Sequence, residues 1–149
     1  MRIVLTVVIV AFIFAACKKD NYSTSPQIKY KSVSPNFSDN SINSVSPVVT
    51  FSLTDAEGDL GITGTDTARI YLKNILTGEF DSLDFPDLKD ISKKDFKADI
   101  LASVSKVLSC GPGPSGHIDT LFYEIYVKDF KKNQSNTIVT GDPTYYQCP

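Results

Sequence analysis

Residues 120–128, Thr-Leu-Phe-Tyr-Glu-Ile-Tyr-Val-Lys, alternate without a break between two faces. Leu121, Tyr123, Ile125 and Val127 fall on one side, and Phe122, Glu124, Tyr126 and Lys128 on the other. A period of two puts successive side chains on opposite faces of a strand, so this stretch predicts a strand with one dry face and one wetter face. The same alternation recurs upstream. Val49, Phe51 and Leu53 alternate with Val48, Thr50 and Ser52, and Ala68, Ile70 and Leu72 alternate with Arg69, Tyr71 and Lys73 across 68–74. Residues 27–33, with Ile28 and Tyr30 on one face, predict a first strand that stops at Ser34-Pro35-Asn36. Residues 137–139 and 144–147 predict a last strand interrupted by Gly141-Asp142-Pro143, since Gly and Pro weaken strand pairing.

Residues 95–108 fit two periods. Phe96, Ala98, Ile100, Ala102 and Val104 alternate as in a strand, whereas Phe96, Ile100, Leu101, Val104 and Leu108 share one face of a helix. We read them as strand, because Ser103, Val104, Ser105 and Val107 are poor helix formers and the surroundings are β-rich. Residues 76–79 predict a tight turn and 111–116 a loop, while 81–94 reads as an irregular loop with at most one helical turn after Pro86. Short strands separated by turn residues predict an all-β, antiparallel sandwich, built as a single domain over 27–149.

The first 17 residues, MRIVLTVVIVAFIFAAC, have a different character. Arg2 precedes an apolar run from Ile3 to Phe14, and the small residues Ala15 and Ala16 stand before Cys17. This pattern is that of an export signal with its cleavage site. It resembles the lipobox of bacterial lipoproteins, although Phe14 stands where Leu is usual. The resemblance implies cleavage after residue 16, multiple acylation of Cys17, and a lipidated tether over 17–26. A retained membrane span is the competing expectation, but the run is shorter than the roughly 20 residues a bilayer requires.

Cysteine arithmetic points the same way. Three cysteines leave one over in an exported chain; if Cys17 carries lipid, Cys110 and Cys148 remain to pair. Free thiols and a metal site are the alternatives, and with His117 the only histidine and no Cys-x-x-Cys pair, sulfur ligation of metal has little to build on. With 15 basic and 17 acidic residues the formal net charge is −2, and no basic stripe is present. Such a chain offers no field to attract nucleic acid.

Residues 119–136, which carry the Tyr-x-Ile-x-Val-x-Asp pattern followed by Asn133-Gln134-Ser135, resemble strand F, its loop and the start of strand G in bacterial immunoglobulin-like or fibronectin-type-III-like domains. Residues 51–61, Phe-Ser-Leu-Thr-Asp-Ala-Glu-Gly-Asp-Leu-Gly, are similar to strand B and its acidic turn. Together with Cys17-Lys18-Lys19-Asp20, the chain resembles small lipoproteins of the Bacteroidetes type. That resemblance implies an immunoglobulin-like sandwich held by Cys17 in the cell envelope, at the outer membrane. It also brings a short Asp-Ser/Thr-apolar pattern used there for O-glycosylation, matched at Thr67, Ser82 and Thr120. In the plainer reading, each Asp caps a turn before a strand.

Asp55, Glu57 and Asp59 alternate in the acidic turn, with Gly58 and Gly61 permitting sharp bends, and offer hard oxygen ligands of the kind Ca²⁺ takes. If 48–53 and 120–128 run the same way in a sandwich, their following loops meet, which brings Asp129 and Asn133 to the same end. An ordinary capped turn paired with Lys131 and Lys132 accounts for the same residues. The EF-hand spacing is absent, since Asp66 occupies the position where that loop has its bidentate Glu. Ser115, His117 and Asp119 alternate in a loop too extended to close a catalytic triad, so a solvated histidine is expected. No phosphate-binding Gly-rich loop or nucleophile elbow occurs. The function expected is a non-catalytic binding or structural module for a protein or glycan, without a resident cofactor unless calcium binds. Its contacts would come from the acidic turn and the 129–136 loop, with Tyr145 and Tyr146 adding aromatic surface. An envelope enzyme accessory or small hydrolase is the rival class.

Overall fold

The computed structural model describes residues 22–63, 66–85 and 94–149, so the leader expected over 1–16 and the lipidation expected at Cys17 lie outside the described residues. Twelve strands follow in order: β1 (Gln27–Ser34), β2 (Phe37–Asp39), β3 (Val48–Asp55), β4 (Ile62–Thr63), β5 (Asp66–Thr67), β6 (Arg69–Asn74), β7 (Phe80–Asp84), β8 (Phe96–Ser103), β9 (Ile118–Leu121), β10 (Tyr123–Lys128), β11 (Ile138–Val139) and β12 (Thr144–Gln147). A 3-10 turn, Ser105–Val107, follows β8. Among the described residues there is no α-helix.

β3 lies between β1 and β8, antiparallel to both. β10 and β6 are the inner strands of a second sheet ordered β11-β10-β6-β7, again antiparallel. A third sheet sets β12 between β9 and β2, and the β12–β2 pairing is the one parallel exception among the described ladders. The dry faces read from the alternation are the buried ones: Val49, Phe51 and Leu53 on β3, Ile70 and Leu72 on β6, and Tyr123, Ile125 and Val127 on β10. These join Ile28, Ile100, Ala102 and Leu121 in one hydrophobic core. The chain is all-β with antiparallel sheets, an arrangement compatible with a β-sandwich.

A bulge in β1 changes its facing. The register slips between Tyr30 and Ser32, which lets Ile28 and Val33 both point inward although their positions lie five apart, an odd step that would otherwise put them on opposite faces. Residues 95–108 divide their two periods: the alternating part forms β8, and the remainder closes in the 3-10 turn that buries Val107.

Three expectations need correction. Residues 81–84 belong to β7 rather than to an irregular loop, and 86–93 lie outside the described residues. β7 is an edge strand, held by its ladder to β6 and by surface pairs such as Arg69–Asp84 at 2.8 Å, so no buried face marks it in sequence. The strand expected over 120–128 is two strands. At Phe122 the chain leaves the ladder with β12 and joins the one with β6, and the Phe122 carbonyl accepts a hydrogen bond from Ile75 N at 3.0 Å. Finally, β11 and β12 are not halves of one strand, because β11 pairs with β10 and β12 with β9 and β2.

Asn74 ends β6 in the core, where it is fully buried. Its Nδ2 donates to the Val107 carbonyl at 3.1 Å, and its Oδ1 accepts from Leu76 N at 3.0 Å. One side chain thereby organises the 75–79 turn and fastens the 3-10 segment beneath it. Asn74→Ala removes both sets of bonds and leaves the buried Val107 carbonyl unsatisfied, so a loss of about 2–3 kcal/mol is expected. Chemical denaturation measures it; a loss below about 0.5 kcal/mol, the range of ordinary surface changes, would contradict this role.

Candidate metal centre

The turn after β3 and the turn after β10 meet at the same end of the fold. Phe130 N donates to the Asp59 carbonyl at 3.1 Å, which ties the two segments directly. Gly58 and Gly61 take φ values of 65° and 102°, a region where side chains are strained, and so allow the chain to double back after Asp55. Oxygen atoms of Asp55, Asp59 and Asp129 come within 4.8 Å of one another.

Their surroundings are dry. Asp55 and Asp129 have no exposed surface, and the Asp59 side chain is 17% exposed. Asp55 Oδ1 accepts from Glu57 N at 3.2 Å, but Asp55 Oδ2 and both carboxylate oxygens of Asp59 are buried without a hydrogen-bond partner. Asp129 is better supplied: Asn133 N and Nδ2 donate to its two oxygens, each at 2.8 Å. Burial pushes the Asp55 carboxyl up to about 7, the Glu57 N–H opposes the shift, and neighbouring Asp59 and Asp129 reinforce it. Burial likewise raises the carboxyl of Asp129, with Asn133 opposing.

Glu57 stands apart from this cluster. It is exposed and pairs with the Lys131 ammonium, whose Nζ also lies 3.7 Å from Asp59 Oδ2. Lys131 thus sits at the rim, and its pKa is raised first by the Glu57 hydrogen bond. Asn133 joins the cluster through Asp129 rather than as a separate ligand. The sequence placed Asn133 at this end with Asp129; what the structure adds is its role as the donor to both Asp129 oxygens.

His117 differs from the solvated histidine expected. Its side chain is 19% exposed and its ring packs on Gly113, where an added Cβ would come within 2.6 Å of ring atoms. Nδ1 lies 2.6 Å from the Pro114 carbonyl, and Nε2 lies 3.3 Å from Asp119 Oδ1, close but without hydrogen-bond alignment. Asp119 in turn accepts from Gly111 N at 2.7 Å. With both ring nitrogens facing neighbours, the histidine braces the 111–119 loop. Asp119 also approaches Cys110 and Cys148, but these are joined in a disulfide and carry no thiolate to ligate metal.

The remaining sequence-marked residues lie on strands. Thr67 is in β5, Ser82 in β7 accepts from Arg69 at 3.0 Å, and Thr120 is exposed in β9. Tyr145 is 41% exposed and Tyr146 is buried. The wet face of β10 and β6 carries a ring stack not singled out by the sequence: Tyr71 lies on Tyr126 with centroids 4.7 Å apart, and Lys128 sits over both. The cross-strand register Tyr126 opposite Tyr71 creates it. Comparison with known proteins finds no matching family model, no similar curated protein and no similar solved structure.

Proposed function

We propose that this chain is a lipid-anchored protein of the bacterial envelope, held at the outer membrane through acylated Cys17, whose immunoglobulin-like domain is a non-catalytic binding or structural module. The Cys110–Cys148 bridge is the observation that carries this reading, because it accounts for two of three cysteines and leaves Cys17, at the end of an export-type leader, for lipid. A bridge of this kind belongs to an oxidising compartment.

The tether gives the module an orientation. Ala56 N donates to the Ser23 carbonyl at 2.9 Å, so the chain enters the domain beside the acidic turn. Six residue steps from Cys17 to Ser23 reach at most about 20 Å, which keeps the acidic end close to the lipid. The fitting partner is therefore a membrane-bound protein or glycan met by the 55–61 and 129–136 segments. His117 has no ring nitrogen left facing an open site, so the hydrolase reading gains nothing from it.

Labelling with palmitate in a host that processes lipoproteins tests the anchor. The native chain is expected to take up label and sediment with outer membranes, and Cys17→Ser to lose both. An unlabelled native chain with methionine still at its amino terminus would overturn the anchor. A photo-crosslinking residue at Gln134 is expected to capture a membrane component that one at Glu79, on the turn at the far end, does not. Equal yields from the two positions would overturn the binding role.

A further inference from the structure

We propose that Asp55, Asp59 and Asp129 form a site for one divalent cation of the calcium type, which clasps the turn after β3 to the turn after β10. An acidic cluster on a surface needs no ion, but this one is built differently. Asp55 is wholly buried, and its Oδ2 meets no hydrogen-bond donor; both oxygens of Asp59 also lack a hydrogen bond, with only the Lys131 ammonium 3.7 Å from Oδ2. Buried carboxylates without donors are costly, and a cation shared among them removes that cost.

The donor set selects the ion. All three side chains offer hard oxygen, and no histidine or cysteine belongs to the cluster, which disfavours zinc. Oxygens on opposite sides of a calcium ion bound at about 2.4 Å stand about 4.8 Å apart, the span within which these oxygens fall. Water supplies the rest of a six- to eight-fold shell, reaching the ion past the partly exposed Asp59. Lys131 is the competing cation. Its ammonium lies 3.7 Å from Asp59 and is steered there by Glu57, so it supplies one positive charge at the rim and leaves the interior of the cluster for the ion.

The site is independent of lipidation, so its test and that of the anchor fail separately. Purified full-length protein in detergent, stripped with chelator, is titrated with CaCl2 and with MgCl2 by calorimetry, and melted with and without CaCl2. One Ca²⁺ per chain is expected, with a dissociation constant on the order of 10⁻⁴ M and magnesium at least about tenfold weaker. Asp55→Asn is expected to weaken calcium binding by about tenfold or more while melting in chelator no lower than the native chain. Lys131→Met, which withdraws the competing charge, is expected to tighten binding several-fold. Asp59→Asn, at the partly exposed position, repeats the loss in a second background should Asp55→Asn fold poorly. A native chain that takes up no calcium at 10 mM, or Asp55 and Asp59 variants that bind as the native chain does, would overturn the site.

Discussion

Removing the Cys110–Cys148 bridge lowers stability by about 4 kcal/mol in the chain-entropy account. The bridge closes a loop with a sequence separation of 38, and opening it restores that much freedom to the unfolded chain. The native side of the balance is local. β12 is held between β9 and β2, and beyond it Cys148 N donates to the His117 carbonyl at 2.9 Å. Once the bridge is gone, the last residues are held by short ladders, that bond, a second one from Gly116 N to the Pro149 carbonyl at 3.4 Å and the packing of Tyr146, so β12 is expected to exchange its amide hydrogens before β3 does. For a domain of this size the melting temperature of Cys110→Ser/Cys148→Ser should fall by roughly 10–20 °C. Replacing both cysteines avoids a stray thiol. A melting temperature within about 2 °C of the native value would show that the covalent link adds little to the contacts of β12.

Asp55 makes the metal-free protein less stable as the solution becomes more alkaline. Its carboxyl is raised from 3.8 to about 7 in the fold, so between those values the native state holds a proton that the unfolded chain has released. Stability from this group is fully present below about pH 4, declines as pH rises toward 7, and is level above that. The full decline is on the order of 4 kcal/mol at 1.36 kcal/mol per unit. Asp55→Asn should remove this part of the decline and leave the part that the raised Asp129 carboxyl contributes. The amide keeps the shape, its oxygen can accept from Glu57 N, and its NH2 can donate to the unpartnered oxygens of Asp59. Denaturation in chelator at pH 5 and pH 8 measures the effect. The variant is expected to be the more stable of the two at pH 8, and a native chain whose stability is flat across that interval would refute the buried charge.

The outer boundaries of this fold are written in residue alternation, and the connections are not. Val49, Phe51 and Leu53 could be assigned to a dry face because strand geometry sends every second side chain the same way. The break at Phe122 left no mark, since Leu121 and Tyr123 are both buried and the period of two runs straight through the point where the chain changes sheets. β7 was hidden for the opposite reason: its residues are mostly half-exposed, and its place depends on backbone bonds to β6 that any side chain permits. Within the acidic turn, spacing identified Asp55 and Asp59 but also Glu57, which turns outward to Lys131.

Composition and local pattern were enough for the strand-rich class, the buried faces and the pairing open to Cys110 and Cys148. Those follow from short-range rules, in which each residue is judged against near neighbours. Which ladders form, where the chain crosses between sheets, and which carboxylates are stripped of water depend on groups far apart in the chain. Asp55 and Asp129 are separated by more than half of the described sequence, and only the meeting of their two turns makes them a cluster of buried, under-supplied oxygens.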